Sequence, residues 1–422
     1  MHDALLSLLR CPFCGTRLSP VENHALVRVN GHITSGVLGC ECCAFPVVDG
    51  IPVLIADDTA RAAIVDLEAG RLDDARDRLL GLDGDRRPAF RALLALGDGA
   101  TYRELIEVLS PDAEGTYFVY RFSDPTFVMA DAVLRGLARN AAATSRWVID
   151  VCGGSGHLTR ALVQMQRASP VGGPGVVLAD MFFSKLWLAA RVTAPDCHPV
   201  CCNGNDPLPF ERDAFSMAVL SDAFPYIWHK RLLAEELMRL TGPGGLVVMP
   251  HLHSALGENF SPGMPLTPTA YAGLFAPMAP RLFRDEDLLA PILEREAFDL
   301  SRDVSPEAMG AEPSFTLVAS GDPSVFRAYQ VPAGSDISGA LVVNPLYRVE
   351  RRGQGSTLTL AFPTPEYAEE FGGCRRYLPD TVDVSADLTG TLDSTTLAAA
   401  LGHDYARLRR GRVLIDAPHR YC

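Results

Sequence analysis

The chain has 422 residues, of which 48% are hydrophobic and 21% are charged, a composition typical of a globular protein with roughly two to four domains. Its formal net charge is −13, and lysine occurs only at Lys185 and Lys230, which disfavours a nucleic-acid partner because phosphate binding depends on basic side chains. No apolar run reaches the ~18 residues of a transmembrane helix, and the N-terminus lacks the pattern of a secretory signal. We therefore expect a cytoplasmic protein with no membrane partner.

Four segments follow one another along the chain. Residues 1–57 combine cysteines with short β-like runs, and residues 58–143 carry leucines at helical spacing, which predicts a helical linker or lid. Residues 144–323 alternate β-like and helical runs, the pattern of βαβ units on a parallel sheet. Residues 324–422 mix β-like runs with one helical stretch. This last pattern predicts a small α+β segment that shapes a substrate pocket or mediates oligomerisation, and the predicted fold class of the whole chain is α/β.

Cysteine is concentrated near the N-terminus, where five of the eleven cysteines lie within the first 43 residues. Cys11 and Cys14 form one Cys-x-x-Cys knuckle, and Cys40 and Cys43 form a second. Two knuckles can bring four thiolates to one tetrahedral point, which is typical of a structural Zn²⁺ site with no open coordination position. Cys42 is an alternative fourth ligand, although the spacing favours Cys43.

The cysteine segment resembles a family of small zinc-ribbon proteins whose eukaryotic member activates several tRNA and protein methyltransferases. The resemblance lies in Leu5–Leu9 before the first knuckle and in Phe45–Leu54 after the second, and it covers about 55 residues. It implies a zinc ribbon that is fused to the domain it supports.

An apolar run, Val148–Val151, leads into a glycine-rich loop and then into a helical stretch. Glycines in such a loop let the backbone approach a ligand at the start of a helix, and the dinucleotide pattern G-x-G-x-x-G is absent. The run Asp150–Gly156 resembles the first motif of class I S-adenosylmethionine (SAM) methyltransferases. Cys152 stands where most members have glycine, as a small non-glycine residue does in the similar ubiquinone/menaquinone C-methyltransferases.

Further motifs of the same family follow in order. The strand-like run Val176–Ala179 ends at Asp180, which by resemblance accepts hydrogen bonds from the ribose of SAM. Asn203 falls where the family has an acidic residue that contacts adenine, and residues 235–248 resemble the helix, glycine turn and fifth strand. The resemblance implies a Rossmann-like class I methyltransferase sheet with SAM as cofactor. The cofactor-binding residues that it implies are Asp150, Gly153, Gly154, Gly156, Asp180, Met181, Asn203 and Ser221.

The loops after the predicted fourth and fifth strands carry the candidate catalytic residues, because ligands of open α/β sheets lie beyond the carboxyl ends of the strands. Asp222 follows the fourth strand, and His251 and His253 lie at the end of the fifth. Imidazole is a common general base near neutral pH; histidines that only shape the pocket are the alternative. The sequence shows no third ligand beside the two histidines, which disfavours a metal site there. Asp222 either orients the acceptor, holds SAM or caps the next helix.

The candidate substrate-contacting residues are Tyr120, Arg121, Tyr226, Trp228 and Asn259. Tyr226 and Trp228 can stack on an aromatic acceptor, or they belong to the core or to a lid. Tyr120 and Arg121 precede the predicted first strand, where the corresponding segment of many class I methyltransferases covers the cofactor. A turn at the start of a helix is the alternative for these two residues.

These patterns predict a SAM-dependent methyltransferase that acts on O, N or C of a small molecule in specialised metabolism. Two alternatives stay open: an RNA methyltransferase, for which arginine-rich runs such as 407–412 are the best support, and a SAM-binding protein that transfers no methyl group. We expect SAM and one structural Zn²⁺ as ligands and a small-molecule acceptor as partner, with a homodimer left open.

Overall fold

The computed structural model describes residues 1–141, 145–169, 172–258, 263–331, 340–389 and 394–421. The chain divides into two compact units. The first comprises Met1–Arg87 and Met129–Val331, and the second comprises Pro88–Val128 and Pro332–Cys422. Within the described residues, no helix is both long enough and apolar enough to cross a membrane.

The N-terminal segment forms helix α1 (Asp3–Leu8) and a small antiparallel sheet. The strands of that sheet are β1 (Ser19–Pro20), β2 (Val27–Val29), β3 (His32–Gly39), β4 (Ala44–Val48) and β5 (Ile51–Pro52). They pair in the order β1-β3-β4-β5, and β2 pairs with β3. Strand β4 is buried from Phe45 to Val48, as expected for an apolar run that is covered on both faces. We call residues 1–55 the ribbon.

The rest of the first unit is organised around a larger sheet. Its strands and those of a small accessory sheet are, in chain order, β6 (Trp147–Val151), β7 (Val176–Asp180), β8 (His198–Cys201), β9 (Phe215–Val219), β10 (Leu246–His253), β11 (Arg281–Arg284), β12 (Ala297–Asp299), β13 (Ser314–Ser320) and β14 (Ala328–Gln330). Strands β12 and β14 form the accessory pair.

The large sheet, which we call the central sheet, has the order β11-β13-β10-β9-β6-β7-β8. Neighbouring strands from β8 to β10 run parallel, whereas β13 is antiparallel to both β10 and β11. The chain builds outward from β6 to β8, returns, and then builds in the other direction through β9 and β10, so the strand order reverses beside β6. This is the doubly wound arrangement with a switch point. It confirms the predicted Rossmann-like α/β class with the layout of a class I methyltransferase sheet.

The helices between β6 and β7 and between β9 and β10 connect strands of the central sheet, because parallel neighbours need long crossovers. Other helices lie outside these crossovers. In chain order after α1 the helices are α2 (Asp58–Glu68), α3 (Leu72–Leu79), α4 (Arg86–Ala95), α5 (Tyr102–Leu109), α6 (Ala113–Tyr120), α7 (Pro125–Ala141), α8 (His157–Arg167), α9 (Phe183–Leu188), α10 (Lys230–Thr241), α11 (Pro268–Leu274), α12 (Asp285–Arg295), α13 (Pro365–Phe371), α14 (Ser394–Leu401) and α15 (Asp404–Arg410). Several begin at a side-chain cap; for example, Asp57 accepts from the Ala60 amide at the start of α2.

The ribbon and the central sheet share one hydrophobic core. Leu5 and Phe45 of the ribbon belong to the same cluster of buried side chains as Ile149 and Val177 of the sheet. Phe45 is fully buried, so its contacts are part of the interior of the first unit. The ribbon is therefore packed as an integral layer of that unit.

Main-chain pairing extends this contact at the edge of the central sheet. Val53, directly after β5, pairs in parallel with Cys201 of β8, and the Leu54 amide donates to the Cys201 carbonyl at 2.7 Å. The Trp187 indole N–H also donates to the Asp49 carboxylate at 2.8 Å. The ribbon thus covers the edge that β8 would otherwise expose.

The second unit has its own sheets and its own core. Its strands are β15 (Ala340–Val343), β16 (Tyr347–Arg352), β17 (Gly355–Leu360), β18 (Thr381–Val384) and β19 (Leu414–Ala417). Strand β15 pairs with β19, and β16, β17 and β18 form a second sheet. Leu358, Tyr367 and Phe371 are among the buried side chains at the centre of this unit.

The units differ from the segments expected from sequence. The predicted helical linker, 58–143, is divided, because α2 and α3 pack on ribbon strand β4 whereas residues 88–128 join residues 332–422 in the second unit. The boundary expected at residue 324 lies near residue 331, since β14 pairs back onto β12 in the first unit. Helical periodicity located the helices without indicating which sheet each one covers.

The shared core predicts that the ribbon and the central sheet unfold together. Phe45→Ala should lower the free energy of unfolding by about 3–5 kcal/mol, the range for deleting a buried ring. Val29→Ala, at a ribbon position that is 51% exposed, should change it by about 0.5 kcal/mol or less. Chemical denaturation followed by tryptophan fluorescence and by metal release should give coincident transitions; two separated transitions would contradict the shared core.

Candidate functional site

The glycine-rich loop follows β6 and forms a tight turn into α8. Gly156 is the N-terminal cap of α8 and has φ of 79°, and a Cβ added there would lie 2.9 Å from the Ala189 Cβ. A Cβ at Gly153 would lie 2.6 Å from a carboxylate oxygen of Asp150. Both positions therefore require glycine. Cys152, which replaces the usual first glycine, adopts φ of 57°, so the backbone keeps the left-handed turn without glycine at that position.

Asp180 ends β7 and ties this turn to the neighbouring strand. One of its carboxylate oxygens accepts from the Gly154 amide at 3.0 Å, and the other accepts from the Phe182 amide at 2.9 Å. The side chain is buried, but each carboxylate oxygen has two acceptor positions. Asp180 can therefore hold the turn and still accept from a ligand hydroxyl.

Asp150 supports the turn from within the sheet. It is buried, and it accepts from the Thr159 hydroxyl of α8 at 2.6 Å. This bond fixes α8 against the end of β6. The structure therefore places Asp150 beneath the turn as a support for its backbone.

The other predicted cofactor residues lie on the loops after β7, β8 and β9. Met181 is 47% exposed and follows Asp180 directly. The Asn203 side chain accepts from the Asn205 amide at 3.0 Å, and Asn205 in turn accepts from the amide of Trp228 at 2.7 Å. The Ser221 hydroxyl donates to the Pro250 carbonyl at 3.4 Å. Asn203 thus shapes the loop after β8, a role that its position in the motif did not indicate.

Two thiols beside the turn are neutral side chains of the interior. Burial raises the pKa of Cys152 well above its ordinary value, and the Asp180 charge raises it further. Burial likewise raises the pKa of Cys202. A nucleophilic cysteine needs a lowered pKa, so these residues fill space beside the turn.

The two histidines are each held by a carboxylate. His253 Nε2 lies 2.8 Å from an Asp222 oxygen, and His251 Nδ1 lies 2.8 Å from an Asp285 oxygen. The two imidazole rings are 5.0 Å apart between centroids and nearly perpendicular. The structure therefore brings the three predicted catalytic residues together and adds Asp285, which sequence reasoning missed.

Asp285 is fixed by the antiparallel strand β13. It accepts from the hydroxyl groups of Ser314 and Thr316, each at 2.8 Å. Asp285 begins α12 and lies 34 residues after His251 in the chain, so no local motif signals their contact. The nearest signal in the sequence is the acidic run Asp285–Asp287, which reads equally well as the first turn of a helix.

Backbone irregularity directs these side chains to one place. Asp222 has φ of 59° and His251 has φ of 55°, values that non-glycine residues adopt at a cost of about 1–3 kcal/mol and that cluster at functional sites. The pairing of β10 with β13 shifts register between Met249 and Leu252, which is a bulge next to His251. The Tyr271 hydroxyl donates to the His253 carbonyl at 3.1 Å and holds the strand end.

The predicted substrate residues fall into three groups. Tyr226 and Trp228 follow β9, and they are 51% and 76% exposed, so they are surface residues and not part of the core. Tyr120 and Arg121 belong to the second unit. The Arg121 guanidinium lies 2.8 Å from both oxygens of Asp124, a pairing that accounts for its burial without a substrate carboxylate. Asn259 lies outside the described residues.

The ribbon cysteines form a second, separate cluster. One sulfur from each of Cys11, Cys14, Cys40 and Cys42 lies within 4.8 Å of the others. The sulfur of Cys42 is 3.7 Å from that of Cys11 and 3.7 Å from that of Cys40, and Cys14 is 3.8 Å from Cys40. Ligands at the usual Zn–S length of ~2.3 Å on a tetrahedron are about 3.8 Å apart. The donor set therefore fits Zn²⁺.

The fourth sulfur of this cluster differs from the one that spacing predicts. Cys42 completes the set, whereas Cys43 was expected. The Cys43 amide donates to the Cys40 sulfur at 3.2 Å. The Cys43 sulfur lies 3.5 Å from that of Cys42 but outside the set of four mutually close sulfurs.

Hydrogen bonding from the Thr16 hydroxyl lowers the pKa of Cys14 to about 6. By contrast, burial raises the pKa of Cys11 to about 11, and the contact with Cys14 raises the pKa of Cys42. Metal binding would therefore have to displace protons from part of the cluster.

No protein-family model matches the sequence, and a search of curated proteins found no match. One similar structure is the Haloferax volcanii Trm112 methyltransferase activator in complex with a protein described as a methyltransferase, with 18% identity, a TM-score of 0.31, and coverage of 46% of this chain and 92% of the other.

Two further similar structures are described as SAM-dependent methyltransferases. The protein from Aquifex aeolicus is 13% identical with a TM-score of 0.33, over 48% of this chain and 97% of the other. The protein from Mesorhizobium loti is 15% identical with a TM-score of 0.31, over 42% of this chain and 91% of the other. The fold assignment rests on the strand order of the central sheet.

The sulfur geometry predicts that Cys42→Ser abolishes tight metal binding in the ribbon, while the matched change Cys43→Ser preserves it. Cobalt substitution reports this site selectively, because thiolate-to-cobalt charge-transfer absorption requires sulfur ligands. The wild-type chain and Cys43→Ser should show the band at one equivalent, and Cys42→Ser should lose most of it. The reverse pattern would restore Cys43 as the ligand.

Proposed function

We propose that the chain is a SAM-dependent methyltransferase that acts on a small molecule in a biosynthetic pathway. The observation that carries this proposal is the hydrogen bond between the Gly154 amide and the Asp180 carboxylate at 3.0 Å. It connects the glycine turn after β6 to the acidic residue that ends β7, at the carboxyl ends of the parallel strands. Ligands of doubly wound sheets lie beyond the carboxyl ends of the strands, near the switch point.

The residues at the carboxyl ends of β6 and β7 fit SAM. The turn Cys152–Gly156 lies at the start of α8, where main-chain amides can bind a ligand. A Cβ at Gly153 or Gly156 would clash with side chains of the interior, so the two glycines let this turn pack closely on the central sheet. Asp180 has acceptor capacity for ribose hydroxyls, and Met181 offers an exposed apolar side chain for adenine. When bound, SAM supplies an electrophilic methyl group on a sulfonium.

The acceptor side of the site is the cluster formed by Asp222, His251 and His253. We propose that these residues orient the acceptor and help to remove its proton, because an oxygen or nitrogen acceptor attacks best when it is deprotonated. Asp285 holds His251 Nδ1, which leaves Nε2 of that ring as the nitrogen with a lone pair. Orientation and proton removal are the tasks that fall to this chain.

Exposed apolar side chains favour a small acceptor with an apolar or aromatic body. Tyr226, Trp228, Leu256 and Met264 are all more than half exposed, and they lie on the loops that follow β9 and β10. Aromatic and thioether side chains of this kind contact organic ligands well. Tyr226 and Trp228 are therefore proposed as substrate contacts, as their sequence position suggested.

An RNA acceptor is less well supported, because arginines of the basic runs are paired with acidic neighbours. Arg407 lies 2.9 Å from Asp404, and Arg351 lies 3.2 Å from Asp387. The net charge of the chain is −13, so neutralised arginines leave little attraction for a polyanion. A small molecule is the acceptor class that we propose.

The cofactor assignment is tested by the affinity for S-adenosylhomocysteine (SAH), the demethylated form of SAM. Asp180→Ala should weaken SAH binding by about 1–3 kcal/mol through loss of a charged acceptor. Asp196→Ala, which changes a carboxylate that is 46% exposed, is the matched control and should leave the affinity unchanged. Isothermal titration calorimetry measures both. Absence of SAH binding to the wild-type chain would refute the proposed function.

The catalytic assignment predicts that His251→Ala and His253→Ala each lower methyl transfer by about 10²–10⁴-fold while SAH affinity stays within twofold. The assay measures SAH release from SAM with a panel of small phenols, hydroxy acids and amines, and the variants are compared on the acceptor that reacts best. Losses of only a few-fold on both variants would show that the histidines shape the pocket and do not assist proton removal.

A further inference from the structure

The proposed acceptor cluster also has the composition and geometry of a metal site. One ligand atom from each of Asp222, His251 and His253 lies within 4.8 Å of the other two. Two nitrogens and one carboxylate oxygen are the donor set of the two-histidine, one-carboxylate sites, which bind divalent metals on one face and leave the other positions open. The sequence alone indicated no third ligand beside the histidines. Folding supplies it from the loop after β9.

We propose that Asp222, His251 and His253 bind a divalent first-row cation that takes the acceptor through its oxygen atoms. This proposal rests on the proposed function, because the cation would lie on the acceptor side of the SAM site. With the cation bound, the two histidines would assist proton removal by holding the cation and would not themselves act as bases. It is distinct from the cysteine cluster of the ribbon, which uses sulfur donors and leaves no open position.

The measured distances suit a common cation. His253 Nε2 and the Asp222 oxygen are 2.8 Å apart. Two ligands at about 2.1 Å from one metal, at right angles, lie about 3.0 Å apart, and ligands on opposite sides lie about 4.2 Å apart. The spacing of 4.8 Å or less among the three ligand atoms requires only side-chain adjustment to reach these values.

Asp285 provides the outer support that metal-bound histidines usually have. A ligating histidine almost always donates its second ring N–H to a carboxylate or carbonyl group, which fixes the tautomer and the ring orientation. His251 Nδ1 lies 2.8 Å from Asp285, and Asp285 is held by the hydroxyl groups of Ser314 and Thr316. This chain of contacts fixes the imidazole ring through Nδ1, and Nε2 is the His251 nitrogen that we assign to the cation.

His253 is the most buried member of this cluster. The residue is 8% exposed, and its Nε2 atom faces the Asp222 carboxylate at 2.8 Å. Its Nδ1 atom is buried and has no hydrogen-bond partner among the described residues, but this atom lies outside the donor set, which uses Nε2. A cation bound at Nε2 would lie directly against the Asp222 charge, and this attraction favours binding.

Three protein ligands leave positions for an acceptor that binds through two oxygens. A hydroxyl group next to a carbonyl, a carboxylate or a second hydroxyl fits this requirement. Coordination lowers the pKa of the hydroxyl, so its O–H bond breaks with the proton released to water while the oxygen keeps the electron pair. The geometry therefore narrows the acceptor class to small chelating oxygen compounds.

The test is a titration with Mn²⁺, which prefers oxygen and nitrogen donors to thiolates. The full chain with its ribbon saturated with zinc is titrated, and the free ion is followed by electron paramagnetic resonance. We expect one bound Mn²⁺ per chain. Asp285→Asn, which keeps the side-chain shape, should weaken binding by about 10–100-fold, and the double change His251→Ala/His253→Ala should weaken it at least as much.

His403→Ala is the matched control, because this histidine is 96% exposed at its side chain and lies in the second unit; it should bind Mn²⁺ as the wild type does. Circular dichroism and SAH calorimetry on each variant separate metal loss from misfolding. No bound Mn²⁺ at a concentration on the order of 1 mM, or equal binding by the double variant, would overturn the metal site. Failure of SAH binding alone would instead refute the proposed methyltransferase function.

Discussion

The bond between the Gly154 amide and the Asp180 carboxylate is the constraint on which the candidate site depends. It joins the carboxyl ends of two neighbouring strands, β6 and β7. Ligands of doubly wound sheets lie beyond these ends. Asp150 braces the same turn from below through Thr159. With two carboxylates already engaged in holding the backbone, the turn is preorganised, so little conformational entropy is left to lose when a ligand binds.

The sequence predicted most of the central sheet, because the information is local. Apolar runs that end in glycine or in a carboxylate mark β6 and β7 directly, and their alternation with helices is sufficient for a parallel sheet. The cysteine cluster was predicted for the same reason, since its knuckles are contiguous in the chain. Only the choice of Cys42 over Cys43 depends on turn geometry, which spacing cannot resolve.

The remaining features depend on contacts between distant residues. Asp285 reaches His251 only because β11 and β13 fold back on β10, and a single acidic residue at a helix start carries no sign of that partner. Arg121 looked available for a substrate because a sequence does not show that Asp124 already neutralises it. The division of the helices between two units likewise follows from packing and not from periodicity.

Positive backbone φ recurs at the candidate site, although it also occurs elsewhere in the chain. Cys152, Asp222 and His251 all adopt positive φ, and they lie after β6, after β9 and within β10. Side chains other than glycine occupy this region only when surrounding packing compensates for the strain. Here the buried strands β6, β9 and β10 provide that packing.

The pairing of Val53 with Cys201 links the solubility of the protein to the supply of metal. An uncovered strand at the edge of an open sheet is a template for pairing with other chains. The ribbon covers β8, and its four clustered cysteines fit a zinc ion that would hold them together. Because the ribbon and the central sheet share one core, loss of metal from the cysteine cluster would weaken both, and exposure of the β8 edge would then favour aggregation.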